Sequence, residues 1–536
     1  MKVTLKNVVI GSTSVILIAA MLSACSSTTT PESSSAASAA ATTKPLTNLT
    51  YFLEMNNNAA PVSKNYNDRE VYKELEKRTG VKVEYTHPPI GPEQVKQALN
   101  LMVASNNLTD VIDFNWLSYP GGPEKAINDG VIIDLKDLID KYAPNLSKIL
   151  KENPEVKKQI STDSGKIYSF PDLNLKNEQL TYTGPVIRQD WLEKLGLTAP
   201  TTVDEWYTVL KAFKEKDPNG NGKADEIPFH INTDFWLRDS SFLVGAWGIG
   251  FEFYQDNGVV KYGVTQPEFK EYVKTMQKWY KEGLLDPEYA TNDEKLFDAK
   301  VTGERIGSSI VLAGGGVGKF NQLMKDKNPK FVLQGVTYPT LKKGDRAEIG
   351  QKVNYFTGLG AAITKANKNP IETVKYLDYR YGEEGNLLFN FGIEGVSYTM
   401  ENGYPKYTDL IMKNPQGLPM AQALSKYAGS SPKLIDVRYN EQYSWTTPVL
   451  KQSVKNWSDA INKKKMPPVT PSPEESAKFA SIMSDVNTYV GEMFNKFVMN
   501  AEPIENYDTF IKKLKSLNID EAIKIQQAAL DRYNKR

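Results

Sequence analysis

Between Leu46 and Phe114 the chain alternates β-prone runs with runs of helical period, and this alternation limits the fold more than any other feature. Leu46-Thr-Asn-Leu-Thr-Tyr-Phe-Leu53 is β-prone and opens into a polar loop. Asp68–Arg78 sets Val71, Tyr72 and Leu75 on one helical face, and Gly80 follows as a helix-ending glycine. Val81-Lys-Val-Glu-Tyr85 alternates as a half-buried strand does. A helical Glu93–Ala104 and the apolar run Asp110-Val-Ile-Asp-Phe114 complete the series strand, helix, strand, helix, strand. That order predicts a parallel α/β layer, which gathers ligands beyond the carboxyl ends of its strands. The loops Glu54–Asn58 and Asn115–Gly122 are therefore the ones expected to meet a ligand. At 536 residues the chain exceeds what one core usually serves, so two or more lobes are expected.

The residue inventory narrows the chemistry. Lys plus Arg number 65 and Asp plus Glu 64, a formal charge of +1, so no net field recruits nucleic acid or an acidic membrane surface. Cys25 is the one cysteine, and His87 and His230 are the two histidines. This count excludes intrachain disulfides and Cys/His zinc clusters. A Ser-His-Asp hydrolase would depend on one of those histidines, and neither sits in a recognisable catalytic motif. Carboxylate chemistry such as glycoside hydrolysis stays open. Eight Trp, 28 Tyr and 20 Phe can furnish both a core and a site that stacks on sugar rings.

The amino terminus bears on location. Lys2 and Lys6 precede an apolar run from Val8 to Leu22, shorter than the ~20 residues of a transmembrane helix. The run ends in Leu22-Ser-Ala-Cys25, the pattern of a bacterial lipobox. Residues 1–24 thus read as a lipoprotein signal peptide and Cys25 as the lipidated first residue of the mature chain. Each buried methylene of such an anchor contributes about 0.8 kcal/mol, so multiple acyl chains hold stably. Residues 25–45, nearly all Ser, Thr and Ala, carry too little apolar surface to order and are expected to form a tether. The expected location is the outer face of the cell membrane, reached through the lipid alone, with the protein as a monomer.

Asp217-Pro-Asn-Gly-Asn-Gly-Lys-Ala-Asp-Glu226 is the sharpest chemical motif. Oxygen-bearing side chains at its first, third and fifth positions, with Gly222 at the sixth, are how an EF-hand loop wraps calcium. Asp217, Asn219 and Asn221 would present side-chain oxygens and Lys223 its carbonyl. The twelfth position is Pro228, which cannot be the bidentate carboxylate. The same residues also favour plain turns, so a surface loop is the other reading.

These segments, taken in order with Arg188-Gln-Asp-Trp-Leu-Glu-Lys-Leu-Gly-Leu197 and Gly392-Ile-Glu-Gly-Val-Ser-Tyr398, resemble the extracellular solute-binding proteins of the maltodextrin-type family. The resemblance is to the large lipoprotein branch common in Gram-positive bacteria, which includes binders of alginate oligosaccharides. It implies an α/β, two-lobed, type II periplasmic-binding-protein-like clamp with strands crossing between the lobes. The N-terminal lobe would be residues 46–181 plus 357–432, and the C-terminal lobe 182–356 plus 433–536. The resemblance adds Asp225 and Glu226 to the loop's ligand set and so implies a structural Ca2+.

Matched segment by segment, the family also implies ligand contacts. Trp116, Tyr119 and Tyr168 would supply aromatic surface from the first lobe, and Trp236 and Trp445 further platforms. Glu54 and Arg188 are polar candidates, and Glu394 and Tyr398 come from the glycine-bounded stretch. Arg188 with Asp190 reads equally as a structural ion pair, whereas Trp191, Trp206 and Trp279 belong to amphipathic helices and to core. The function implied is a non-enzymatic solute-binding lipoprotein that captures a carbohydrate, in particular an oligosaccharide, and hands it to the permease of an ABC importer. A carboxylate-dependent glycoside hydrolase or lyase, and a receptor feeding a sensor kinase, are the alternatives.

Overall fold

The computed structural model describes residues 45–231 and 243–536. The signal peptide, Cys25, the tether up to Lys44 and Trp236 lie outside the described residues.

The chain opens with β1 (Asn48–Phe52), β2 (Lys82–Thr86) and β3 (Val111–Asn115), in which β1 pairs parallel with both of its neighbours. After β4 (Phe170–Leu173) it leaves for a second sheet built from β5 (Thr183–Arg188) and β6 (Ile227–Phe229). A hairpin of β7 (Phe253–Asp256) and β8 (Val259–Tyr262) follows, then β9 (Ile306–Leu312) and β10 (Leu333–Gly335). β11 (Phe356–Ile363) returns to the first sheet and inserts antiparallel between β3 and β4. The first sheet thus runs β2-β1-β3-β11-β4 and the second β10-β5-β9-β6. A separate hairpin, β12 (Tyr398–Glu401) with β13 (Tyr404–Tyr407), lies further on.

Local chemistry accounts for the early elements. Val71, Tyr72 and Leu75 are buried on the helix Glu70–Thr79, and Gly80 ends it at φ 70° with its N–H on the Glu76 carbonyl. The helix starts two residues later than the sequence predicts. Asn65 caps a short turn over Tyr66–Asp68, accepting from Asn67 N–H while Asp68 accepts from Asn65 N–H. In β2, Val83 and Tyr85 point inward and Lys82, Glu84 and Thr86 outward. In β3, Val111, Ile112, Asp113 and Phe114 are all buried, three apolar residues and one acid.

Two large cores result. One is centred on the first sheet and takes residues from Leu49 to Leu173 and from Phe356 to Phe389. The other surrounds the second sheet, and Trp191, Trp206 and Trp279 are each no more than 1% exposed within it. The helices Pro473–Val498, Tyr507–Ser516 and Ile519–Asn534 add Val486, Val490, Phe510 and Leu514 to this second core. A smaller cluster around Phe391, Tyr407, Ile411 and Leu424 stands apart from both. The chain passes between the two sheets after β4, after β10, and again after the helix Val437–Tyr443. There the helix Pro448–Trp457 reaches the second sheet, with Trp457 Nε1 donating to the Pro185 carbonyl. This is a two-lobed α/β clamp with crossing connections, the architecture expected from the sequence. Among the described residues no helix is long and apolar enough to cross a membrane.

Candidate functional site

A cavity of about 570 Å3 opens at the carboxyl ends of β1 and β3. The loop after β1 contributes Glu54, Asn56 and Asn58, and the end of β3 contributes Asn115 and Ser118. Both loops expected to meet a ligand therefore border it. His87 fixes the first of these loops: its Nε2 accepts from Tyr66 N–H at 3.1 Å, and its Nδ1 lies 3.0 Å from the Leu53 carbonyl. Burial lowers the His87 pKa, in keeping with a neutral ring carrying its proton on Nδ1.

Ionisable side chains line the floor. Asp113, 5% exposed, leaves Oδ1 without a hydrogen-bond partner among the described residues. Burial, with the negative charge of Asp172 beside it, pushes the Asp113 carboxyl up to about 7. Asp172 is itself pushed up to about 6 by burial, and accepts from the Lys433 backbone N–H at 3.1 Å. Desolvation pulls the Lys433 ammonium down to about 8, while its Nζ donates to the carbonyls of Phe389 and Gly429, each at 3.0 Å. Arg69 is wedged against the rings of Tyr66 and Tyr72, at 4.3 and 5.0 Å.

Aromatic surface comes from tyrosines. Tyr439 and Tyr443, one turn apart on the helix Val437–Tyr443, stack at 5.1 Å between ring centres and 17° between planes. Both line the cavity and both are part-buried. Rings that present a face to a cavity suit the apolar faces of sugars, and carboxylates and amides suit their hydroxyls.

Of the residues singled out from the sequence, Glu54 lines this cavity, accepting from Gly91 N–H at 2.6 Å. The structure puts most of the others elsewhere. Trp116 is fully buried and donates its indole N–H to the Gly360 carbonyl, a core position beneath the sheet. Gly360 has to be glycine, because a Cβ there would stand 2.6 Å from the Phe170 carbonyl oxygen. Tyr119 stands against Trp116, and Tyr168 is 1% exposed against Phe356, so neither offers a face to the cavity. Arg188, also 1% exposed, forks onto Asp190 at 2.8 and 2.6 Å and lies between Trp191 and Phe331, a structural ion pair. Tyr398 is buried against Phe391, and Glu394 is exposed on the loop before it. Trp445 is half-buried against the second core, just beyond the tyrosine pair. Trp236 lies outside the described residues.

The sequence reading passed over Asp113, Asp172, Lys433, Arg69 and the tyrosine pair. One of these carried a signal: an acid inside the apolar run Val111–Phe114 has no reason to be buried unless something meets it.

A smaller cavity of about 210 Å3 lies against β9 in the second lobe, with His230, Phe297 and Lys319 on its wall. His230 Nδ1 stands 2.8 Å from Asp286 Oδ2, which also accepts from Lys300 at 2.7 Å. Burial works against the Asp286 carboxylate, yet these two contacts hold its pKa well below the usual range.

The loop Asp217–Glu226 forms a tight polar turn. Asp217 accepts from the backbone N–H groups of Gly220, Asn221 and Gly222 at 2.9, 3.1 and 3.0 Å. Gly222 takes φ 73°, a left-handed conformation that glycine adopts without strain. Asn219 and Asn221 turn toward Asp225, their amides 3.2 and 3.0 Å from its Oδ1. Glu226 keeps Oε1 buried and without a partner, and burial followed by the charges of Asp217 and Asp225 raises its pKa. Three acids crowding one oxygen-rich turn fit a hard cation. Among the described residues no three Asp, Glu, His or Cys side chains come together as a metal cluster.

Comparison with known proteins places the chain. The family model of bacterial extracellular solute-binding proteins matches residues 61–387. The fructooligosaccharide ABC transporter substrate-binding protein FusA of Streptococcus pneumoniae is 30% identical over 507 residues, covering 89% of each chain. Among solved structures, the alginate-binding protein AlgQ2 without calcium ion is 29% identical with a TM-score of 0.68, covering 91% of this chain and 98% of that one. FusA in complex with kestose is 26% identical with a TM-score of 0.68, over 91% and 99% of the two chains, and FusA has also been solved as an EF-hand mutant. Matched by the family model over more than half of its length, this chain belongs to the bacterial extracellular solute-binding proteins.

Proposed function

We propose that the protein is the lipid-anchored capture subunit of an ABC importer, which binds an oligosaccharide outside the membrane and delivers it to a permease. The observation that carries this reading is the cavity at the carboxyl ends of β1 and β3, with stacked Tyr439 and Tyr443 on one wall and Glu54 and Asp113 on others. Ring faces and acceptors in one cleft suit a polyhydroxylated ligand. The relatives named for fructooligosaccharide and alginate binding support a saccharide as cargo. Cys25 would carry the lipid, and the Ser/Thr/Ala segment would let the clamp reach the permease.

In this reading the loop at 217–226 holds a structural Ca2+ through Asp217, Asn219, Asn221, the Lys223 carbonyl, Asp225 and Glu226. The ion would neutralise the acids that crowd Glu226 and pin the turn between the helix Val203–Glu215 and β6.

The test is thermal unfolding of the full chain in mild detergent against a panel of oligosaccharides. A saccharide held only by the folded state, present at 100 times its Kd, stabilises by about 2.7 kcal/mol. No shift with any saccharide would overturn the cargo. A second reading draws on one observation, that Asp113 and Asp172 both line the cavity with raised pKa values, as a carboxylate hydrolase could use. Capture without turnover predicts that the bound saccharide is recovered intact by mass spectrometry after prolonged incubation, whereas shortened products would favour the hydrolase.

A further inference from the structure

The polar groups of the cavity are unequally available. Arg69 is 2% exposed, and each of its guanidinium nitrogens already donates: Nε to the Ser425 carbonyl at 2.5 Å, Nη2 to the Ala428 carbonyl at 2.6 Å, Nη1 to Ser430 Oγ at 3.0 Å. It lies against the stacked pair Tyr66 and Tyr72, and with Nε, Nη1 and Nη2 all engaged it presents no free fork to a ligand. Lys433 holds two carbonyls and leans over the Tyr439 ring at 5.6 Å. Among the described residues no other cation lines the cavity.

The acids are differently placed. Asp113 Oδ1 is buried at the cavity wall with the Ser431 hydroxyl near the carboxyl and no well-formed hydrogen bond, and Glu54 is engaged there by the Gly91 N–H. Asp172 adds a third carboxylate to the lining. A ligand entering this space meets three carboxyl groups and cations whose donors are mostly engaged, Arg69 at each nitrogen and Lys433 at two of its three N–H groups. A uronate carboxylate would find no guanidinium fork and one remaining Lys433 N–H, and would lie beside three carboxyl groups.

We infer that the cavity selects neutral, hydroxyl-rich oligosaccharides and rejects uronate oligosaccharides, with Asp113 as the discriminating acceptor. This rests on the capture reading above and narrows its substrate class, since the relatives named include a binder of an acidic polymer and a binder of neutral fructans.

The experiment is titration calorimetry of the full chain at pH 7.5. The probes are neutral tri- and tetrasaccharides of fructose, glucose and galactose, and size-matched oligomers of galacturonate, mannuronate and guluronate. At least one neutral saccharide is expected to bind 100-fold or more tightly than any uronate. Asp113→Asn should weaken the neutral ligand at least tenfold and narrow the preference by a similar factor. Should that variant fail to fold, Glu54→Gln is expected to narrow the preference in the same direction. A uronate that binds as tightly as the best neutral saccharide, or a folded variant that keeps full affinity and preference, would overturn this inference and leave the capture reading standing. Binding by neither class would overturn both.

Discussion

A carboxylate inside a buried strand costs free energy unless something hydrogen-bonds to it, and Asp113 sits between Ile112 and Phe114 with one oxygen unpartnered. Its pKa rises from the ordinary 3.8 to about 7, so the native state keeps a proton that the unfolded state has lost over that interval. Stability therefore falls as pH rises from about 4 to 7, and the cost is fully present above 7. Asp172, raised to about 6, adds in the same direction over a shorter span. Lys433 works the other way. Its pKa, lowered from 10.5 to about 8, means the unfolded chain holds more protons between those values, and stability recovers as pH climbs through them. These three groups together are least favourable between about pH 7 and 8. Asp113→Asn removes the largest of the acid costs, so the unliganded variant should be more stable at pH 8, by up to about 4 kcal/mol, and nearly unchanged at pH 4. Urea midpoints at the two pH values measure this. Equal effects at both would show that the Asp113 charge carries no such cost. The same substitution should weaken saccharide binding, the usual trade between stability and a poised site.

At the scale of elements, the turn at 217–226 offers the cleanest test. Asp217→Ala strips the acceptor from three backbone N–H groups and removes a carboxylate from the proposed calcium set. With calcium present it should cost about 1–3 kcal/mol. With EDTA the difference should shrink toward the hydrogen-bond part alone, and the variant's melting should no longer respond to chelation. A variant that loses as much stability in EDTA as in calcium would mean the turn needs no ion. Elements such as this were legible in the sequence because their signals are local: a six-residue spacing of oxygens and glycine, a period of two in β2, a helical stripe at Val71, Tyr72 and Leu75. The binding wall was not. Whether Trp116 becomes a platform or a core residue is decided by β11, which comes about 240 residues later and brings the Gly360 carbonyl to its indole. Tyr439 and Tyr443 occupy an ordinary-looking polar helix, and only its packing against the small cluster around Phe391 and Tyr407 brings them to the cavity lining.

Across the whole molecule the two proposed ligands act on opposite halves. The cavity belongs to the first sheet and the segment Ala421–Tyr443, whereas the calcium-type loop leads into β6 and the second core. Proteins of two lobes often unfold in two steps, so the question is what couples these. Three chain crossings do, and a further tie runs from the last helix. Arg532 and Arg536, at and just beyond the end of Ile519–Asn534, converge on Asp163 of the first lobe at 2.6 Å each. Tyr533 donates its hydroxyl to Glu155 beside them, at 2.5 Å. The Arg532 pair is part-exposed, so its direct stabilisation is small, under about 1 kcal/mol. Its effect is geometric, because separating the lobes exposes Tyr533, which is 3% exposed, along with the charges around it. Calorimetry of the full chain should accordingly show one transition, raised by saccharide and lowered by EDTA, although the two sites share no residue. Asp163→Ala, which frees both arginines, should broaden or split that transition while moving its mean by little. Two separate transitions in the wild type, one answering only to saccharide and the other only to calcium, would show that the crossings and the Asp163 tie leave the lobes thermodynamically independent.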